Sequence, residues 1–222
     1  LFPYTTLFRS VVSMIINIAH TKGGVGKSTL ATNLAVELNC PILDLDKQGS
    51  SKYFNELRVE NKKTPLTVIL AQSRNDLSIL QEYSENAKKH IIIDSGGMDN
   101  DLIRCGIELS DIIITPVRPS KIEVKGLQEF VQMINQSSFN AKNHYILLNN
   151  VQSRSIKDVE DMTDSIKGAK LNLLHTRIGL RKLFMDAYAE GKSVIELNKS
   201  SLAADELRVL VKELKDIIKR KA

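Results

Sequence analysis

Tryptophan is absent from the 222 residues, cysteine occurs twice, proline five times, and aromatic residues make up only 5% of the chain. Cys40 and Cys105 lie far apart with no C-x-x-C neighbour, which argues against a disulfide framework or a zinc knuckle and suits a reducing compartment. No apolar run approaches the roughly 18 to 20 residues of a membrane-spanning helix, so a water-soluble chain is expected. Long Pro/Gly/Ser linkers, internal repeats and low-complexity tracts are also missing, and NKKTPL (Asn61 to Leu66) is the most linker-like piece, expected as a surface connection. What remains, 42% hydrophobic and 26% charged residues, is enough for one substantial aliphatic core.

Charge is unevenly placed. From Lys170 onward there are 12 Lys/Arg against 7 Asp/Glu, whereas residues 1–169 balance at 19 against 19. The whole excess of +5 therefore sits in the last quarter, and an anionic partner for that part is expected, nucleic acid or an acidic membrane surface. The opening LFPYTTLFRS has neither periodicity nor a targeting pattern. Back-translated with suitable codons it matches the end of a short-read sequencing adapter, so residues 1–13 are expected to be a non-native extension and 14–222 one domain.

From Met14 the sequence alternates β-branched runs with helical patterns: MIINIAH, PILDLD (Pro41 to Asp46), HIIID (His90 to Asp94), DIIITPV (Asp111 to Val117), HYILLNNV (His144 to Val151) and LNLLHT (Leu171 to Thr176). Continuous rather than alternating hydrophobicity belongs to strands covered on both faces, which predicts a doubly wound α/β fold around a mostly parallel sheet. In such sheets ligands bind beyond the carboxyl ends of the strands, where Thr21 to Ser28, Asp44 to Ser51 and Asp94 to Asp101 would converge.

The first of these segments, HTKGGVGKST (His20 to Thr29), nearly matches the phosphate-binding loop G-x-x-x-x-G-K-[ST], with Thr21 in place of the first glycine and an additional lysine, Lys22. Gly23, Gly24 and Gly26 let backbone N–H groups, including those of Val25 and Thr29 at either side, turn toward phosphate oxygens at the start of a helix. Lys27 supplies charge to the β- and γ-phosphates and the Ser28 hydroxyl suits Mg²⁺. Asp94, after three isoleucines, fits the acidic residue of a magnesium shell. The glycines of SGGMDN after it suit a segment that rearranges with the γ-phosphate. Asp44 and Asp46, two apart on one strand, are expected on one side near the phosphates, Asp46 orienting or deprotonating water and Asp44 bracing the metal shell.

KGGVGKST with Lys22, DLDKQGS, IIIDSGG, DIIITPVRPS, LLNN and RIGLRKLFMDAYAEGKSVIEL together resemble the ParA-type partition ATPases of the deviant Walker A class, in the small form without an N-terminal helix-turn-helix domain. The resemblance covers Met14 to the C-terminus and implies a P-loop NTPase fold, the cofactors ATP and Mg²⁺, and slow, partner-stimulated ATP hydrolysis. It further implies a homodimer in which Lys22 reaches the other subunit's nucleotide, and Asn149 contacting adenine, with Asn150 the neighbouring alternative. Arg177, Arg181 and Lys182 match the region that binds DNA nonspecifically, and a centromere-binding ParB-like adaptor and a cytoplasmic, nucleoid-associated location follow. Where the family has D-x-D-P-Q, this chain carries Lys47 in place of proline, which puts the role of Asp46 in question.

Two other functions compete. One is a MinD-like positioning ATPase acting on a membrane or a protein cargo. The last helix is amphipathic and basic, yet lacks an aromatic anchor and carries an apolar stripe suited to docking on the sheet, so no membrane partner is expected. The other is a P-loop ligase of the dethiobiotin-synthetase kind, against which Lys22 argues.

Overall fold

Runs of isoleucine and valine set the centre of the molecule. In the computed structural model, which describes residues 13–85 and 90–221, Ile15–Ile18 forms β1 and Lys27–Leu38 forms α1. There follow β2 (Ile42–Asp44), α2 (Ser50–Glu60), β3 (Val68–Leu70), α3 (Ile79–Glu85), β4 (Ile91–Asp94), α4 (Asp101–Glu108), β5 (Ile112–Val117) and α5 (Lys121–Asn135). The chain closes with β6 (His144–Val151), α6 (Ile156–Gly168), β7 (Asn172–Gly179), α7 (Lys182–Ala189), α8 (Val194–Leu197) and α9 (Leu202–Lys221). Residues 1–12 lie outside the described part, and with them nearly all of the expected extension.

The strands form one sheet in the order β3-β2-β4-β1-β5-β6-β7, every neighbouring pair parallel. β1, β2, β4 and β5 are buried along their whole length, which explains why their sequences read as unbroken apolar runs. The chain leaves β1 toward β2 on one side and later passes to β5 on the other, so the carboxyl end of β1 lies at the point where the winding reverses. The loop that follows β1 is thereby held between the ends of β4 and β5.

The structure differs from the sequence reading in three places. The edge strand β3 was not among the expected strands; it has three half-buried residues and begins one residue after NKKTPL. The last strand runs on from Thr176 to Gly179 and so takes in Arg177. β2 ends at Asp44, so Asp46 lies beyond the strand and does not share a strand face with Asp44.

Helices cover both faces. α9 places Leu207, Leu210, Val211, Leu214, Ile217 and Ile218 in the same core cluster as Leu30 and Leu34 of α1 and Ile16 and Ile18 of β1. Burying each such side chain contributes about 1.5 to 3 kcal/mol, so the apolar stripe of α9 is an integral part of the core.

Candidate nucleotide-binding site

The loop between β1 and α1 is shaped by two left-handed glycines, Gly24 (φ 72°) and Gly26 (φ 94°). At Gly26 the constraint is also steric, because a Cβ there would stand 2.5 Å from the Asn149 side-chain nitrogen. Asn149 is buried at the end of β6 and its Nδ2 donates to the Val25 carbonyl at 2.6 Å. It therefore braces the loop, in addition to lining the cavity together with Asn150. Asn150 itself has a positive φ of 54°.

Lys27 is the first residue of α1 and is buried, with its Nζ donating to the Lys22 carbonyl at 2.7 Å. Burial lowers its pKa from the ordinary lysine value, opposed by the nearby carboxylates Asp94 and Asp46. A cavity of about 1050 Å³ opens beside it. It is lined by Gly23, Gly24, Gly26, Lys27, Ser28 and Thr29 of the loop and by Asp46, Lys47 and Gln48, Gly96 to Met98, Asn149 and Asn150, and by Arg181, Lys182 and Met185 of the α7 region. All three segments expected at the strand ends thus reach one cavity.

Two buried carboxylates lie behind the phosphate end. Asp44 and Asp94 are register partners on β2 and β4, both fully buried. Asp44 accepts from the backbone N–H of Asp46 and of Ser51, each at 3.0 Å, and the Ser51 hydroxyl donates to Asp94 Oδ2 at 2.7 Å. Asp94 Oδ1 is buried without a hydrogen-bond partner. Burial first, and then the Asp44 carboxylate, push Asp94 up to about 7, against hydrogen bonds from Ser51 and Ser28 and the charge of Lys27. An orphaned carboxylate oxygen, a second carboxylate and the Ser28 hydroxyl are hard oxygen donors suited to Mg²⁺, which would add to the single positive charge that Lys27 brings to two carboxylates. Asp46 sits further out, half-buried on the cavity wall, with Oδ1 accepting from the Gln48 N–H at 3.0 Å.

Lys22 takes a different direction. It does not line the cavity. Its Nζ donates to the Ile122 carbonyl at 3.2 Å and stands 3.1 Å from Glu123 Oε2, at the start of α5. The carboxylate oxygen has no aligned hydrogen bond, so the attraction is mainly coulombic. Gly126, one turn on, makes room for the lysine stem, since a Cβ there would lie 2.5 Å from Lys22 Cε. Behind the loop, His20 Nδ1 accepts from the Lys22 N–H at 3.2 Å while its ring stacks on Phe130.

The CbiA family, described as the CobQ/CobB/MinD/ParA nucleotide binding domain, matches residues 16–194. The chain belongs to this family. Among curated relatives, "Maintenance of carboxysome distribution protein A" of Halothiobacillus neapolitanus is 25% identical over 205 residues, covering 89% of this chain and 94% of the relative. The solved MinC:MinD cell division protein complex of Aquifex aeolicus superposes with a TM-score of 0.72 at 17% identity over 92% of this chain and 96% of that one. A putative plasmid partition protein of Borrelia burgdorferi, solved with AMPPNP, gives 0.68 at 17% identity over 95% and 100% of the two chains. The fold is that of the ParA/MinD-type ATPases.

Within this family fold, the three cations expected at DNA are placed unequally. Arg177 is exposed on the edge strand β7. Arg181 is committed to Glu206 of α9 by a two-pronged pair, Nη2 to Oε1 at 2.6 Å and Nε to Oε2 at 3.0 Å. Lys182 is exposed, 3.5 Å from Asp186 one turn along α7. Arg181 and Lys182 line the cavity mouth and Arg177 does not.

The AYAEGKSV part of the last of the family-like segments, Ala187 to Val194, proves to be a joint. Gly191 (φ 59°) lies so close to α2 that a Cβ would stand 2.2 Å from the Arg58 backbone nitrogen, and its carbonyl accepts from buried Arg58. Ser193 caps α8 in a reciprocal box with Glu196 and donates to Glu37 of α1 at 2.6 Å. The sequence reading had not singled out Ser51, Glu123, Gly126 or Arg118. Ser51 closes the segment Asp44 to Ser51 and Arg118 lies in DIIITPVRPS, but Glu123 and Gly126 carry no local signal, because their link to Lys22 spans some 100 residues.

Proposed function

We propose that this chain is an ATP-driven positioning ATPase of the ParA kind, which dimerises face to face around ATP, binds DNA nonspecifically as a dimer and is reset when a partner protein stimulates hydrolysis. The observation that carries this reading is the direction of Lys22, which sits on the rim at α5 and leaves its own cavity to Lys27. A cation so placed stands outside its own cavity, and once released from Glu123 it would act in trans on charge developing at the phosphoryl group transferred in a second copy. Mg²⁺ would be held by Ser28 and Asp94 with Asp44 behind them, and it would screen the phosphate charge. Asp46, on the cavity wall, is the residue of this chain suited to orient the attacking water. Gly23 to Thr29 would cradle the phosphates and Asn149 the base side of the loop it braces. Arg177 and Lys182 are the better candidates for DNA phosphates, since Arg181 already holds Glu206.

A second reading, the positioning of a protein cargo, is favoured by the relatives named for carboxysome distribution. It shares the ATP-driven dimer and differs in what is carried, so the adaptor need not be a centromere-binding protein. The burial of the α9 stripe speaks against a membrane as the working surface.

Size-exclusion chromatography and DNA binding, measured with ATP, ADP and no nucleotide, test the proposal. ATP should produce a dimer that binds DNA in a salt-sensitive manner, and Lys22→Ala should abolish both the dimer and hydrolysis while leaving nucleotide binding to the single chain. A mutant that dimerises and hydrolyses normally would overturn the role of Lys22. ATP-dependent pelleting with liposomes but not DNA would overturn the choice of surface.

A further inference from the structure

β5 pairs directly with β1, so the first residue after β5 is delivered beside the loop that follows β1. That residue is Arg118. Its Nη2 donates to the Gly24 carbonyl, and the side chain lines the cavity alongside Gly23, Gly24 and Lys27. It is exposed, and among the described residues it forms no ion pair. A guanidinium offers five N–H donors in a planar fork. One of them is used by the loop carbonyl, and the others are free for an anion in the cavity.

The charge balance of the site points the same way. A nucleoside triphosphate brings more negative charge than one divalent cation and one lysine neutralise, and Asp44, Asp46 and Asp94 add to the deficit. Lys27 is already drawn by Asp94 and Asp46, and Lys22 is turned to Glu123. Lys47 also reaches the cavity wall, but no contact ties it to the loop, whereas Arg118 is fastened to Gly24. It lines the same cavity as Lys27, and in loops of this type it is the lysine that reaches the β- and γ-phosphates.

We propose that Arg118 binds the terminal phosphate of the nucleotide in this cavity, through its remaining guanidinium N–H groups, and thereby makes the site distinguish triphosphate from diphosphate. This rests on the ATP reading above. The test is equilibrium binding of a fluorescent non-hydrolysable ATP analogue and of the matching ADP analogue, with Mg²⁺, to the full chain and to Arg118→Ala and Arg118→Lys. Protein is kept dilute so that a single chain is measured.

Arg118→Ala is expected to weaken the triphosphate analogue about tenfold, the effect of losing one charge-assisted hydrogen bond, and to leave the diphosphate analogue unchanged. Arg118→Lys should fall between, because it keeps the charge and loses the fork. Equal weakening of both nucleotides would mean that Arg118 only holds the Gly24 carbonyl, and it would overturn the proposal, as would no change in either. Failure of the unmodified chain to bind either analogue would instead sink the ATP reading itself. Undiminished diphosphate binding by the alanine variant also shows that the variant is folded.

Discussion

Asp94 is the residue whose surroundings most constrain the site. Its folded pKa of about 7 stands well above the ordinary 3.8, so the folded, nucleotide-free chain keeps a proton that the unfolded chain releases. Between those two values stability must therefore fall as pH rises. Asp94→Asn removes that penalty. Thermal melts without nucleotide should show the variant at least as stable as the parent at pH 8 and unresponsive to added Mg²⁺ and ATP, where the parent gains. A variant less stable than the parent at pH 8 would mean that the Ser51 hydrogen bond outweighs the buried charge. The buried histidines act with the opposite sign. His144 and His20 are held down to about 3 and about 4, chiefly by burial, then by His20 in the first case and by Lys27 and Lys22 in the second. Their contribution is complete above 6.5 and is lost as pH falls from 6.5 toward 4, because the unfolded chain takes up protons the folded one refuses. His144→Gln, whose amide reaches about as far as Nε2, can keep a hydrogen bond to Thr115, and its melting temperature should fall less steeply with pH over that window. Parallel slopes for parent and variant would show that other groups govern the acid limb.

At the scale of elements, the joint at Gly191 decides whether α7 and α8 stay seated on α2. The left-handed φ and the 2.2 Å approach of a Cβ to backbone leave no room for any side chain. Gly191→Ala should cost roughly 3 kcal/mol or more, by strain and by displacement of the Arg58 hydrogen bond, as read from denaturant unfolding. A loss below about 1 kcal/mol, the ordinary surface range, would show that the segment shifts freely. Much at this scale was legible from the residues. Isoleucine runs marked the buried strands, and the glycine-lysine-serine sequence between a strand and a helical pattern marked the loop. β3 was not legible because an edge strand of three half-buried residues lacks both an apolar run and alternation. Asp46 lies off the expected face because hydrophobic continuity through Leu45 hid the end of the strand at Asp44. The seat of Lys22 on α5 depends on two crossovers meeting above the sheet, and no local pattern carries that.

For the whole molecule, the sheet order matters more than any one motif. By placing β1 between β4 and β5, it brings the loop against the acidic end of one neighbour and the Arg118 turn of the other. Net positive charge collects in the last quarter of the chain, yet part of it is internally spent, as the Arg181 pair with Glu206 illustrates. The overall charge excess is therefore a poor measure of how strongly the surface would hold a polyanion.

The hydrogen bond from the Lys27 ammonium to the Lys22 carbonyl has a consequence for stoichiometry. An ammonium has three donors, so if Lys27 meets a chain's own phosphates, the same group also fixes the backbone from which Lys22 extends. If Lys22 serves a neighbouring subunit, each occupied site then steadies the residue that completes the opposite one. Occupancy of the two sites would then be mutually reinforcing, and half-filled pairs would be rarer than two independent sites allow.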